Sequence, residues 1–96
     1  MKIKYSEILS EAISYSGLKL EKIADLVGEI TGTRPSREYL SRLQNGKSKP
    51  ASDQLNDALA QIFKLDPVQL KAAAYREKIP PEVLKILQQD PQAQPA

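Results

Sequence analysis

The apolar residues of this chain recur at the spacing of helix faces, in stretches separated by glycine, proline and short polar segments. Tyr5, Ile8, Leu9, Ala12 and Ile13 fall at i, i+3, i+4, i+7 and i+8, which predicts an amphipathic helix over residues 5 to 16. Gly17 follows as a C-cap, because glycine accepts a left-handed backbone. A second helix starts near Leu20 and carries Ile23, Ala24, Val27 and Ile30 on one stripe. Leu18 and Ile23 are spaced to form a hydrophobic staple across its start. Glu21, Asp25 and Glu29 line its exposed side. Gly28 interrupts the pattern, so the helix either stops there or runs on to Gly32; the stripe reaching Ile30 favours the longer form.

Residues 31 to 35 form a turn, and Pro35 biases Arg34 away from helix. Ser36 then offers an N-cap hydroxyl to a short third helix that Gly46 ends. One face of that helix is apolar, with Tyr39, Leu40 and Leu43. The other carries Arg37, Glu38, Ser41, Arg42 and Asn45. A basic loop follows, and Ser52 caps a fourth helix with the cleanest apolar period in the chain: Leu55, Ala58, Leu59, Ile62 and Phe63. Leu65-Asp66-Pro67 opens a fifth helix as staple residue, N-cap and first-turn proline, with Leu70 completing the staple. It is expected to reach Arg76 or Glu77. Pro80-Pro81 breaks the chain, and a short sixth helix is predicted from Glu82 to Gln89, with Val83, Leu84, Ile86 and Leu87 as its apolar residues. No strand pattern rises above background. The predicted class is therefore all-α: a domain over residues 1–78, a C-terminal helical extension over 79–89 and a flexible tail over 90–96.

Composition narrows the chemistry. Ninety-six residues suit one small domain, and five aromatics leave its core to Leu, Ile, Val and Ala. The chain has no Cys and no His, so disulfides, thiolate chemistry, the commonest metal ligands and the usual neutral-pH acid–base group are all missing. The carboxylates fall on exposed helix faces, without a nucleophile or a glycine-rich phosphate loop beside them. Neither an enzyme nor a cofactor is expected. No apolar run has the ~18 residues of a membrane span, and Met-Lys-Ile-Lys-Tyr-Ser-Glu at the start holds no apolar signal core. A cytoplasmic protein with no membrane partner is expected.

Net charge is only +2, but it is unevenly placed. Residues 31 to 50 hold Arg34, Arg37, Arg42, Lys47 and Lys49 against Glu38 alone, a local charge of +4 on a slightly acidic remainder. Such a patch suits contact with a polyanion through one surface; a solvated basic loop is the plainer alternative.

Several of these segments, taken together, resemble the Cro/C1-type helix-turn-helix regulators, the xenobiotic-response-element family. The resemblance rests on Leu20-Glu-Lys-Ile-Ala-Asp-Leu-Val-Gly28, Ser36-Arg-Glu-Tyr-Leu-Ser-Arg-Leu-Gln-Asn-Gly46, Lys49-Pro50 and Phe63-Lys-Leu-Asp-Pro-Val-Gln-Leu70, about two thirds of the chain. The stretch from Arg76 to Pro91 is similar to an extension that follows this domain in some bacterial and phage-type members. Three features depart from the family pattern. Seven residues separate Gly28 from Ser36, where the family has only a few. Lys19 stands where the second helix is usually capped by Thr or Ser, and Gln44 stands where Glu usually precedes Asn-Gly.

The resemblance implies a five-helix, lambda-repressor-like DNA-binding domain, here with an additional short C-terminal helix, acting as a regulator of transcription and more simply as a repressor. Its third helix would lie in the major groove of double-stranded DNA, with Arg37, Glu38, Ser41 and Arg42 toward the bases. Lys19, Arg34, Ser36, Asn45, Lys47, Ser48 and Lys49 would meet phosphates. Arg34, on the lengthened turn, would clamp phosphate or reach along the groove. Glu38 and Arg42 have the spacing of an ordinary surface ion pair as well, and Tyr39 is either core or a phosphate-contacting hydroxyl. Such domains usually pair as homodimers on two half-sites. Val83, Leu84, Ile86 and Leu87 are the candidate dimer or partner surface; the alternative is that they pack onto the fifth helix. A second functional class is an antitoxin-like or anti-repressor-like interaction module on the same fold, with a protein partner bound through the C-terminal helix.

Overall fold

A computed structural model describes residues 4–80, 82–83 and 85–86. Among the described residues the chain is all-helical, with α1 (Tyr5–Ser16), α2 (Leu20–Thr31), α3 (Arg37–Gln44), α4 (Asp53–Phe63) and α5 (Pro67–Lys78). No helix among the described residues is long and apolar enough to cross a membrane.

The helix boundaries follow local chemistry. Gly17, Gly32 and Gly46 all take positive φ just beyond the ends of α1, α2 and α3. Ser36, Ser52 and Asp66 accept hydrogen bonds from Tyr39 N–H (3.1 Å), Leu55 N–H (3.4 Å) and Val68 N–H (2.9 Å), so α3, α4 and α5 start on side-chain caps. Lys19 caps α2 with no side-chain bond, as its chemistry dictates. The second helix does run past Gly28 to Thr31, yet Ile30, which argued for that length, is 42 % exposed. It sits in the last turn of α2, beyond the reach of the core. α5 extends to Lys78, slightly further than expected.

Packing joins α2 to α4, α4 to α5 and α1 to α3, with α2 against α3 completing the layer beneath the third helix. Leu9, Ile23, Val27, Leu40, Leu43, Leu59 and Leu70 form the interior with several alanines. The face of α4 differs from the simple apolar register. Leu55, Ile62 and Phe63 are half-buried, whereas Asn56, Ala58, Leu59 and Ala60 are fully enclosed. On a wheel of about 100° per residue, Asn56 lies between Phe63 and Ala60, inside the apolar arc.

Asn56 is the buried polar residue of this core, and both ends of its carboxamide are used. The Tyr5 hydroxyl donates to Asn56 Oδ1, and Asn56 Nδ2 donates to the Ala51 carbonyl at 3.0 Å. Lys78 Nζ donates to that same carbonyl at 2.9 Å, and Tyr5 N–H donates to Glu77 Oε2 at 2.6 Å. The start of α1, the entry to α4 and the end of α5 are thereby tied at one point. Burial pushes the Tyr5 phenol well above the usual tyrosine range, a hydrogen bond from the Ala51 backbone opposing this in part. In the unfolded chain the same phenol titrates near its ordinary value of about 10. A value raised on folding gives stability that is fully present below the unfolded value and is lost as pH climbs above it. The urea midpoint is therefore expected to fall progressively as pH rises above about 10, and Tyr5→Phe to flatten that fall; an equal decline in the variant would assign it to another group.

Glu82, Val83, Lys85 and Ile86 have helical backbone, and Val83 N–H donates to the Pro80 carbonyl at 3.0 Å. Val83 is 44 % and Ile86 60 % exposed, so these two do not pack into the core. Leu84, Leu87, the remainder of the expected sixth helix and the tail over 90–96 lie outside the described residues.

Candidate nucleic-acid interface

α3 is held as a short rod with both ends closed. At its start the Ser36 hydroxyl oxygen accepts from Tyr39 N–H, which leaves the hydroxyl hydrogen available to donate outward. At its end Lys47 N–H donates to the Arg42 carbonyl (2.9 Å) and Gly46 N–H to the Leu43 carbonyl (3.3 Å), the paired bonds of a Schellman motif. Gly46 takes φ 71° there, and a Cβ on it would meet Ser6 Oγ of α1 at 3.3 Å. Both facts favour glycine, and together they fix where Lys47 leaves the helix. Asn45 is the C-cap, with φ −96° and ψ 3°, so the helix stops at Gln44 rather than including Asn45.

Leu40 and Leu43 are buried and Tyr39 is half-buried against the core, so the apolar side of α3 faces inward. The tyrosine ring therefore packs as expected of a core residue. On the opposite side Arg37, Glu38, Arg42 and Asn45 are exposed and Ser41 is half-buried. At about 100° per residue these five span an arc of roughly 140°, with Arg37 and Arg42 at its two edges. Glu38 pairs with Arg37, Oε2 to Nε at 3.5 Å, and not with Arg42. Its neighbour in sequence reaches it first, because Arg37 begins the helix and is not held by a preceding turn. Asn45 Nδ2 lies 3.4 Å from Ser41 Oγ, a weak bond that leaves both side chains able to take another partner.

Of the residues expected to meet phosphates, Lys19, Arg34, Ser36, Lys47 and Lys49 are exposed and Ser48 is half-buried. Among the described residues no ion pair engages Lys19, Arg42, Lys47 or Lys49. Arg34 differs: its Nε donates to Asp25 Oδ1 of α2 at 2.7 Å. The lengthened turn that carries it is not loose. The Thr31 hydroxyl accepts from Thr33 N–H at 3.1 Å and lies 2.9 Å from the Val27 carbonyl, so the turn is pinned where it leaves the helix. Gly28 has a second role besides its helix-propensity penalty. A Cβ at that position would lie 3.2 Å from Arg34 Cβ and 3.4 Å from Arg34 Cα. The turn thus doubles back along α2, close enough that a Cβ at this position would require it to shift by a few tenths of an ångström.

Sequence periodicity could not reveal Asp25 as part of this region. It had the look of one member of a solvent-facing acidic row with Glu21 and Glu29. The signal that could have found it is the juxtaposition of an unusually long turn, an arginine in that turn and a glycine inside the preceding helix. The chain was compared with family models, curated proteins and solved structures, and none of them matches.

Proposed function

We propose that this chain is a sequence-specific double-stranded DNA-binding regulator of transcription, a repressor in the simplest form, built on a lambda-repressor-like helix-turn-helix domain. The observation that carries this reading is the α3 surface. A capped eight-residue helix turns Leu40 and Leu43 inward and presents Arg37, Glu38, Ser41 and Arg42 outward in one arc. Cationic residues at both ends of the helix border that arc. A major groove admits one helix, and arginine forks match guanine O6 and N7 there while a carboxylate can accept from cytosine N4. Lys19, Ser36, Lys47, Ser48 and Lys49 supply phosphate contacts around it, and no reaction chemistry is assigned to the chain. One such helix spans few base pairs, which favours a homodimer on two half-sites. The exposure of Val83 and Ile86 supports the C-terminal helix as its contact surface.

Duplex binding measured across a salt series tests the electrostatic part. Affinity is expected to fall linearly on logarithmic axes as salt rises. Lys49→Ala is expected to weaken all duplexes alike and to reduce the slope by about 0.9, the share of one phosphate contact. A Lys49→Ala variant that changes the preferred base at one position would place that residue in the wrong class. The interaction-module reading is favoured instead if Val83→Ser with Ile86→Ser abolishes binding to a protein partner while duplex affinity stays intact.

A further inference from the structure

Three residues of α2 at i, i+3 and i+6 face the long turn: Asp25, Gly28 and Thr31. Thr31 pins the start of the turn, Gly28 makes room for Arg34 against the helix, and Asp25 holds the Arg34 guanidinium. The hold is one-sided. Only Nε donates to Asp25, and no other hydrogen bond of this guanidinium occurs among the described residues. The edge formed by Nη1 and Nη2 thus has no hydrogen-bond partner among the described residues, on a half-exposed side chain two positions before the N-cap of α3. That edge carries two parallel N–H groups, the geometry that pairs with two oxygens of one phosphate.

We infer that Asp25 is a positioning residue for Arg34, and that the guanidinium so held is a bidentate clamp for one backbone phosphate of duplex DNA. The inference rests on the DNA-binding reading proposed above and adds to it a residue that carries the wrong charge for a DNA-facing surface. A carboxylate near a polyanion is repelled by it, so one held against an arginine that would meet phosphate needs a reason. Fixing an otherwise flexible arginine in its bound geometry is such a reason, because ordering that side chain is then largely complete before DNA arrives. An ordinary turn-stabilising ion pair is the competing explanation. Both partners are about half exposed, 50 % and 57 %, and exposed pairs contribute little to stability.

Affinity for one duplex, measured for Asp25→Ala, Asp25→Asn, Arg34→Ala, Arg34→Lys and the double alanine variant, separates the two, with thermal melting as the control for folding. Asp25→Ala is expected to bind about two- to tenfold more weakly than wild type, the cost of ordering one arginine on binding, although it removes a negative charge. Asp25→Asn is expected to recover most of that loss, since its carboxamide oxygen still accepts from Nε–H. Arg34→Lys is expected to fall to the level of Arg34→Ala, because an ammonium cannot serve Asp25 and a phosphate as a planar fork does. The double variant is expected to be no weaker than Arg34→Ala alone. All variants are expected to melt close to wild type. Asp25→Ala binding as tightly as wild type or more so, or Arg34→Lys keeping full affinity, overturns the clamp while leaving the DNA reading in place. Wild-type protein with no salt-dependent duplex affinity removes the DNA reading, and the clamp with it.

Discussion

Asn56→Ala is expected to destabilise the folded chain by about 2–4 kcal/mol, a large part of the stability of a domain this small. The residue is 0 % exposed and serves two partners from different parts of the chain. Truncation leaves the hydroxyl of Tyr5, a residue only 2 % exposed, with a hydrogen and no side-chain acceptor. An orphaned buried polar group of this kind costs about 1–3 kcal/mol, and the lost side-chain volume adds to it. The Ala51 carbonyl fares better, because Lys78 Nζ still donates to it. Tyr5→Phe produces the mirror defect by orphaning Asn56 Oδ1. The double variant Tyr5→Phe with Asn56→Ala removes both ends of that bond together and is expected to be less destabilised than the sum of the two single changes. Urea unfolding of the four proteins reads this directly. Strict additivity would show that the Tyr5–Asn56 bond is not what ties α1 to α4.

Replacing Arg37 and Arg42 together by alanine is expected to lower affinity for a preferred duplex by about 100-fold, at the lower end of what two base contacts of 1–3 kcal/mol supply. The two arginines stand at the edges of the exposed arc of α3, so on the proposed reading each would meet a different part of a groove. Neither side chain is buried and neither caps the helix, so the change should leave stability within about 0.5 kcal/mol. Discrimination between duplexes should fall with affinity, because base contacts specify and phosphate contacts only position. Competition between the preferred duplex and a scrambled one of equal length measures this. An unchanged ratio with reduced affinity would move both arginines to the phosphate class, and unchanged affinity would remove them from the interface.

Much of the fold is legible in the order of residues because caps and periodicity are local. Ser36, Ser52 and Asp66 were identifiable as N-caps, and glycines 17, 32 and 46 as stops, from chemistry within a few residues of each site. The split of α3 into an apolar and a polar face follows from helical geometry alone. What could not be read depends on contacts between distant segments. Asn56 meets Tyr5 across 51 positions of sequence, and an apolar-period count passes over a carboxamide even when it stands inside the arc. Gly28 carried a propensity penalty when taken alone, and its value is visible only once the turn folds back on it. Ile30 matched the stripe by spacing but found no neighbouring helix at its level. The pairing of Arg34 with Asp25 belongs to the same class, since the path of a long turn has no period from which to infer it.

These contacts also bear on how α3 is presented. The seven residues between Gly28 and Ser36 have no period from which the direction of α3 can be inferred. In the folded chain Thr31, Gly28 and Asp25 take up the extra residues along the side of α2, and Ser36 enters α3 with an ordinary cap. Added length in this turn is thus absorbed against a helix.

The central claim is that the exposed face of α3 selects a duplex sequence, and selection of duplexes from a random pool by the wild-type chain tests it most directly. The expected result is enrichment of a two-fold symmetric site whose half-sites lie about 34 Å apart, one helical turn of DNA. Recovery of a pool with no sequence enriched over the input, at low salt where phosphate contacts are strongest, would contradict it.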